Sequence, residues 1–472
     1  LGLAGAGLGA AAATAPVMHD LDEVAASVDS GQSLPWWVSK RDYFNPTVEI
    51  DWDPKWRVDG RNARIYKDPD SKWYYNAYGH EAALQYKGYA EEEDPDFNWE
   101  DPRRQALDSA ASMPGGFVPS NSFLGLTPGE GAGRRIHTPE LYDYPKWAGN
   151  PEENYRLLRG MVRYFGGDDV GVMEHDSHLD RLLCTWDMNR YKNSFEDIDK
   201  PYETKDPRVH GIPNSFKWCF CWTFRQYVDL TRCQQGGILG AYPDCNRLGI
   251  GENASVWYCY SRLAIVEHRL MAFIRGLGYD CVAGGMSSIT SGNAIATVSG
   301  VLEHARMGQV ALHPKWGATN RGTYKMLTDF PLPPTKPIDA GIYNFCKSCS
   351  ICADLCPGQI IQKNEPTWTT GRNPEKGDEG DPLPYQAQGF LGWRTDIGKC
   401  PHCPTCQGVC PFNELPKASW IHTICKATVA TTPIFNGFFT NMDKAFGYGR
   451  KPERDFWERF GNQPMYGIDT MR

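Results

Sequence analysis

The chain has 472 residues, a formal net charge of −8 at pH 7, 41% hydrophobic residues and 22% charged residues. These are globular proportions, so a wholly disordered chain is excluded. The negative charge gives no electrostatic reason to expect nucleic acid as a partner. Its 48 Gly and 34 Pro predict a loop-rich fold, and 16 Cys are too sparse for a disulfide scaffold.

Residues 1–15 are Ala, Gly and Leu apart from one Thr, and no charged residue precedes Asp20. Such a segment is too short and too weakly hydrophobic to anchor a protein in a bilayer. It is typical of the apolar part of a secretory signal, with Ala13-Thr14-Ala15 as an Ala-x-Ala cleavage site. We therefore expect residues 1–17 to be the remnant of an export signal.

Composition predicts four further units along the chain. The segment after the leader is rich in Trp, Tyr, Asp and Pro, the next alternates helical stretches with short apolar runs, and a cysteine-rich section follows. The predicted units are an N-terminal wrapping unit over 18–150, a core over 151–340, a cysteine-rich domain over 341–425 and a C-terminal extension over 426–472.

Three local patterns within the core are informative. Apolar residues at helical spacing predict a helix over 253–275, with Gly276 as its stop. The apolar run Val310–Leu312 predicts a short strand. The sequence Pro331-Leu332-Pro333-Pro334 predicts a stiff linker into the cysteine-rich section.

The cysteine-rich section contains the same spacing twice. Each copy reads C-x2-C-x2-C-x3-C-P, which is the bacterial ferredoxin pattern for [4Fe–4S] clusters. Zinc sites and disulfides are the alternatives, but neither requires this order twice. The two copies are Cys346, Cys349, Cys352, Cys356 and Pro357, then Cys400, Cys403, Cys406, Cys410 and Pro411.

The spacing also predicts which cysteines share a cluster. Three thiolates two residues apart reach three corners of one cubane, whereas the fourth cysteine begins the next helix and ligates the other cluster. We therefore expect cluster 1 on Cys346, Cys349, Cys352 and Cys410. We expect cluster 2 on Cys400, Cys403, Cys406 and Cys356.

A large region precedes the clusters, so their electrons are expected to serve a site built there. The sequence has no P-loop, no credible dinucleotide fingerprint, no H-E-x-x-H and no haem C-x-x-C-H motif. Asp176-Ser177-His178 begins like a corrinoid-ligand motif, but Arg181 stands where that motif requires Gly. From the residues alone, the chain is an exported two-cluster redox protein with a domain of catalytic size.

Several segments carry a family resemblance. The chain resembles the corrinoid-dependent reductive dehalogenases of organohalide-respiring, Dehalococcoides-type bacteria over nearly its whole length, most specifically over 253–411. The segments that carry it, besides the two cysteine motifs, are the leader GLAGAGLGAAAATAPVMHDLDE, FIRGLGYDC, EHARMGQVALHPKWGATNR and LTDFPLPPTKPIDAG.

The resemblance implies a fold, cofactors and partners. The fold class would be α+β, with an α/β-like, nitroreductase-like corrinoid-binding core and a C-terminal ferredoxin-like domain with two [4Fe–4S] clusters. A cobamide would bind base-off, without a protein histidine below cobalt, and halide would be removed from an organohalide such as a chlorinated alkene, alkane or arene. Electrons would come from a respiratory donor complex through a membrane-anchor protein. Export of a folded cluster protein implies a twin-arginine-type route and peripheral attachment to the outer face of the cytoplasmic membrane.

The resemblance also implies a proton donor and its partner, which map to Tyr260 and Arg321. Arg321 ends the block Trp316-Gly317-Ala318-Thr319-Asn320-Arg321, in which the first Arg of the family is replaced by Thr319. A guanidinium beside a phenol stabilises phenolate and lowers the phenol pKa from about 10. The alternative role for Tyr260 is an ordinary core tyrosine, and the nearest alternative donor is Tyr258.

Three further residues are candidates for the substrate and corrinoid pocket. Ser287 and Ser288 lie where the family often has an Asn, and Asn293 is a possible substitute. Trp393, seven residues before Cys400, could provide an aromatic wall. Polar loop serines and a core tryptophan are the structural alternatives.

Two other functions remain compatible with the sequence. An epoxyqueuosine-reductase-like enzyme also joins a corrinoid to two cubanes, but the leader and the negative charge argue against it. An iron–sulfur electron-transfer subunit without its own substrate is the other alternative, and the large N-terminal region argues mildly against that one.

Overall fold

The computed structural model describes most of the chain from residue 34 onward. The described residues are 34–53, 58–59, 123–125, 137–187, 189–233, 254–283, 289–356, 358–369, 389–396, 400, 403–414, 420–447, 449 and 451–462.

Short strands and helices alternate along these segments. The strands are β1 Ser39–Lys40, β2 Val58–Asp59, β3 Val170–Glu174, β4 Cys184–Trp186, β5 Lys192–Glu196, β6 Tyr202–Lys205, β7 Arg208–Pro213, β8 Trp218–Arg225, β9 Cys281–Ala283, β10 Asn320–Thr328 and β11 Ile338–Asp339. The helices are α1 Pro139–Tyr142, α2 Pro151–Tyr164, α3 Ser177–Leu182, α4 Val228–Cys233, α5 Ala254–Gly276, α6 Gly292–Val298, α7 Ile342–Ser348, α8 Ile351–Asp354, α9 Thr405–Gly408, α10 Trp420–Thr431, α11 Asn436–Phe446 and α12 Glu453–Glu458.

An antiparallel four-stranded sheet forms the centre of the fold, in the order β3-β8-β10-β9. Its strand β8 is buried except at its two ends. Since successive side chains of a strand point to opposite faces, Phe220 and Trp222 pack on one side and Cys219 and Cys221 on the other. Both faces of this sheet are therefore covered by protein.

Helices cover the two faces. On one face α2 and α5 supply Leu158 and Leu270, and on the other α6 supplies Ile295. Helix α2 begins at a capping box in which Asn150 accepts from the Glu153 amide and Glu153 accepts from the Asn150 amide. The mixture of helices and largely antiparallel sheets confirms the predicted α+β class.

The N-terminal segment contacts both later parts of the chain. Strand β1 pairs antiparallel with β11, and Ile50 forms a bridge with Phe390 in the cysteine-rich section. Strand β2 pairs with β4 at the edge of a five-stranded sheet in the order β2-β4-β5-β7-β6. The described part of 18–150 thus packs along the core.

Two of the local predictions can be compared directly with the structure. The helix predicted over 253–275 is confirmed as α5, which ends at Gly276. The strand predicted over Val310–Leu312 is wrong, because this run lies in a loop whose only described ladder contact is the isolated bridge between Glu303 and Leu312. Its apolar side chains are buried without a neighbouring strand to extend that bridge.

The predicted linker over 331–334 lies against the core. Leu332 is buried and the Pro331 carbonyl accepts from Asn154 Nδ2 at 2.9 Å, so this segment lies against the core. Helix α10 runs through residue 425, where we predicted a domain boundary. Among the described residues, no helix is both long and apolar enough to cross a membrane.

Candidate active site and cysteine clusters

Tyr260 and Arg321 meet between helix α5 and strand β10. Arg321 Nε donates a hydrogen bond to Tyr260 Oη at 3.0 Å, and the guanidinium carbon lies 5.2 Å from the centre of the phenol ring. Both side chains are only partly buried. Because the phenol oxygen accepts this bond, the phenol proton is not used in it.

A bulge in β10 directly follows Arg321. The register with β8 is interrupted between Arg321 and Tyr324, and Gly322 between them has φ +62°. A Cβ at Gly322 would lie 2.3 Å from the Tyr324 phenol oxygen, so the bend requires glycine. Bulges are common beside functional sites, and this one begins directly after Arg321, which still pairs with Phe224 of β8.

Gln407 joins this pair to the second cysteine motif. Arg321 Nη1 donates to Gln407 Oε1 at 3.4 Å, and Gln407 Nε2 donates to the Ala318 carbonyl at 2.9 Å. Gln407 is buried and directly follows Cys406. Burial raises the pKa of the Cys406 thiol, and the nearby Arg321 guanidinium opposes that rise.

The structure brings four thiols of the two motifs around one cavity. The other walls of this cavity include Arg306, Phe345 and Phe412. Its cysteines are those that the spacing assigns to cluster 1, namely Cys346, Cys349, Cys352 and Cys410.

The remaining four motif cysteines form a second group. Burial raises the pKa of Cys403 to about 11, with a further contribution from the neighbouring Cys356. The thiols of Cys403, Cys356 and Cys400 likewise add to the rise at Cys406. Cys356 from the first motif thus lies near Cys403 and Cys406 of the second motif.

The two groups have the donor chemistry of iron–sulfur sites. The described cysteines form no disulfide, and burial raises the pKa of Cys346 to about 12, so an empty site would hold neutral thiols. Iron binding replaces those protons, as ligation of thiolate requires. In the described segments, no three His, Cys, Asp or Glu side chains converge as ligands of a single metal ion. Four cysteines of the first group instead line one cavity, and a cubane requires four thiolate ligands.

Trp393 lies in the core of the cysteine-rich section. It is fully buried, and its Nε1 donates to the Asn364 carbonyl at 3.0 Å. Its ring centre is 5.0 Å from that of Tyr343 and 4.9 Å from the Arg306 guanidinium carbon.

The other sequence candidates have different positions. Ser287 and Ser288 lie outside the described residues. Asn293 donates through Nδ2 to the Gln309 carbonyl at 2.6 Å, which fixes a loop. Asp176 caps helix α3 by accepting from two backbone amides, and His178 stacks on Phe44 with ring centres 3.8 Å apart. The Asp-x-His sequence therefore has a structural explanation.

Sequence reasoning missed Gln407, Glu303 and Arg306. The last two lie in the EHAR segment, to which the resemblance assigned no role. Glu303 accepts from the backbone amides of Ala340 at 2.8 Å and Tyr343 at 2.9 Å, at the start of α7. The sequence does contain a signal for Glu303 and Arg306. These two opposite charges lie in the mostly apolar segment 301–312, ahead of the cysteine-rich section.

Comparisons with known proteins agree on one family. No protein-family model matches the chain. The curated chloroethene reductive dehalogenase of Dehalococcoides mccartyi strain VS is 33% identical, over 99% of this chain and 96% of the relative. The trichloroethene reductive dehalogenase of another Dehalococcoides mccartyi strain is 31% identical, over 97% of this chain and 94% of the relative.

Solved structures share the fold. The catabolic reductive dehalogenase NpRdhA matches with a TM-score of 0.54 and 16% identity, over 87% of this chain and 48% of that chain. Its complex with 3-bromo-4-hydroxybenzoic acid also matches with a TM-score of 0.54, at 18% identity, over 92% of this chain and 53% of that chain. This chain therefore spans about half the length of the solved chains. Because curated relatives above 30% identity align with nearly all of it, the chain belongs to the reductive dehalogenase family, whose members are oxidoreductases that act on carbon–halogen bonds.

Proposed function

We propose that this chain removes halide from a small organohalide, with electrons passed through two [4Fe–4S] clusters to a base-off cobamide and with Tyr260 as proton donor. The observation that carries the proposal is the hydrogen bond from Arg321 to Tyr260, together with the bond from Arg321 to Gln407 beside Cys406. The bound cobamide would supply the reduced metal centre that breaks the carbon–halogen bond. The overall change consumes two electrons and one proton and yields the hydrogen-substituted product and a halide ion.

The eight motif cysteines would hold the clusters in a ferredoxin-like domain. Cluster 1 would use the four thiols of Cys346, Cys349, Cys352 and Cys410, which line one cavity. Cluster 2 would use Cys356, Cys400, Cys403 and Cys406, and it would be the cluster beside Arg321. Electrons would then arrive close to Tyr260, which would hold the proton.

Tyr260 would deliver the proton to carbon. Its oxygen accepts from Arg321 Nε, and this bond does not use the phenol proton. Once the proton leaves, the guanidinium faces the phenolate oxygen and stabilises the negative charge. Gln407 would keep Arg321 in place during this change.

The substrate class follows from the relatives. Those that align over nearly the whole chain are named for chloroethene and trichloroethene. Such molecules offer dispersion contacts and few hydrogen bonds, which suits a pocket with few polar groups. We propose chlorinated ethenes as the first substrates to try, and a membrane-anchor protein and respiratory donor complex as partners. Export by a twin-arginine-type route and attachment to the outer face of the cytoplasmic membrane complete the proposal.

The direct test is cofactor analysis of anaerobically purified protein, followed by turnover of trichloroethene with reduced methyl viologen. We expect about eight iron atoms and one cobalt per chain, with release of chloride that stops when an alkyl halide traps the corrinoid. Protein with a full iron complement but no cobalt after reconstitution with cobamide would instead indicate an electron-transfer subunit.

A further inference from the structure

Arg306 is a buried cation on the wall of the cavity that the first four thiols surround. Its side chain is only 3% exposed. It lines the cavity together with Cys346, Cys349, Cys352 and Cys410. The cavity therefore has a positively charged wall as well as four sulfur donors.

The hydrogen bonds of Arg306 all go to backbone carbonyls of the cysteine-rich section. Nε donates to the carbonyls of Cys346 at 3.0 Å and Cys349 at 2.8 Å, and Nη2 donates to Cys346 at 2.6 Å. Nη1 donates to the carbonyls of residues 362–364 at 2.7 to 3.2 Å. Among the described residues, no carboxylate forms an ion pair with Arg306.

An anion close to this buried guanidinium would stabilise its charge. Arginine stays protonated in proteins, and burying an unpaired charge costs several kcal/mol. Carbonyl dipoles compensate only part of that cost. The four thiols are neutral while protonated, but as iron-bound thiolates they make the cubane an anion inside the cavity that Arg306 lines.

We infer that Arg306 is the built-in counter-charge of cluster 1 and raises its reduction potential. The inference rests on the proposed two-cluster function. Reduction adds one electron from a low-potential reductant to the cubane and makes or breaks no covalent bond. Because the reduced cluster carries one more negative charge than the oxidised cluster, a fixed positive charge stabilises the reduced form more. Arg306 is a positioning residue in this role, since it contacts the ligand backbone.

The test is a redox titration of both clusters followed by electron paramagnetic resonance, with dithionite as reductant, in the reconstituted full chain. The variants are Arg306→Gln, which removes the charge, and Arg306→Lys, which keeps it. Arg394→Gln is the matched control, because Arg394 is also buried and donates to the Thr367 and Phe390 carbonyls but does not line the cavity. The signal of cluster 1 is identified by its loss in a Cys410→Ser variant.

In Arg306→Gln we expect the equilibrium constant for reduction of cluster 1 to fall at least tenfold. This lowers its reduction potential by about 59 mV for a one-electron couple. Cluster 2 in the same molecule, and both clusters in Arg394→Gln, keep their potentials. In Arg306→Lys, the equilibrium constant for reduction of cluster 1 should stay within tenfold of the wild-type value. If Arg306→Gln binds too little iron to titrate, the Arg306→Lys result tests the inference.

An unchanged potential in iron-loaded Arg306→Gln would overturn the inference, and so would a tenfold fall in Arg306→Lys. Loss of iron from both variants while Arg394→Gln remains loaded would assign Arg306 a structural role instead. Wild-type protein that lacks two cluster signals would contradict the proposed function itself, so the two failures are distinguishable.

Discussion

Arg321 Nη1 donates a hydrogen bond to Gln407 Oε1 across 3.4 Å. Since Gln407 follows Cys406 and Arg321 also holds Tyr260, one side chain contacts both the proposed proton donor and the loop of the second thiol group. In the proposed function, a single guanidinium would therefore link the proton donor Tyr260 to the electron-delivering cluster 2.

Replacing Gln407 tests this link. Gln407→Ala removes the bond to Arg321 and leaves buried polar groups unpaired, which costs about 1–3 kcal/mol of unfolding free energy. We expect kcat for dechlorination to fall about tenfold, the equivalent of about 1.4 kcal/mol in the barrier. Steady-state kinetics and chemical denaturation measure the two effects.

Gln226 supplies the control for that variant. It is buried, accepts from Gln407 Nε2 at 3.3 Å and donates to Thr231 at 2.7 Å, and its side-chain hydrogen bonds within the described structure do not reach Arg321. Gln226→Ala should lose a similar amount of stability and keep most of kcat. Equal losses of kcat in the two variants would show that Gln407 acts only through folding.

We predict that the fourth cysteine of each motif ligates the cluster of the other motif. Single serine variants test this assignment. Cys410→Ser and Cys346→Ser should abolish the same resonance signal and lower iron from about eight to about four per chain. Cys356→Ser should abolish the other signal. Cys425→Ser is the control, because Cys425 lies outside the motifs in α10, and it should retain all the iron. Loss of different signals in the first two variants would refute the exchanged ligand set.

Gly317 allows the core backbone to pack closely against the chain that follows the second motif. Its φ is +65°, and a Cβ there would lie 2.4 Å from the Phe412 carbonyl carbon. Gly317→Ala should therefore displace the chain after Cys410 and lower the iron content and thermal stability. A Cβ added at Gly437 in α11 would meet no atom within 4 Å, so Gly437→Ala should leave iron unchanged and stabilise the helix by about 1 kcal/mol. A fully loaded, stable Gly317→Ala protein would contradict this account.

The buried carboxyl of Glu303 should make the free energy of unfolding depend on pH. Burial raises its pKa to about 7, with a further rise from Asp339, against an unfolded value near 4.5. A raised carboxyl pKa contributes stability that is fully present below pH about 4.5 and is lost as pH rises through about 7. The isosteric Glu303→Gln variant should therefore lose less stability than the wild type between pH 5 and 8. Parallel profiles of melting temperature against pH for the two proteins would disprove the assignment.

The sequence predicts the site unevenly for physical reasons. Cysteine spacing constrains how thiols reach a cubane, so the grouping of Cys356 with the second motif is readable from local sequence. The meeting of Tyr260 and Arg321 joins a helix to a distant strand, and only family resemblance indicated it. Arg306 and Gln407 donate to backbone carbonyls that tertiary folding brings together, for which no sequence spacing exists. The apolar run Val310–Leu312 shows the converse, since burial alone does not make a strand.

Tyr260 is the proposed proton donor. Tyr260→Phe keeps the ring and removes only the hydroxyl, so we expect iron, cobalt and both cluster signals to remain while kcat falls by about a hundredfold or more. Tyr258→Phe, a change of equal size on the same helix, should keep kcat within about twofold. The decisive measurement is the single-turnover rate of trichloroethene dechlorination in the two reconstituted variants. A wild-type rate in fully loaded Tyr260→Phe would contradict the account.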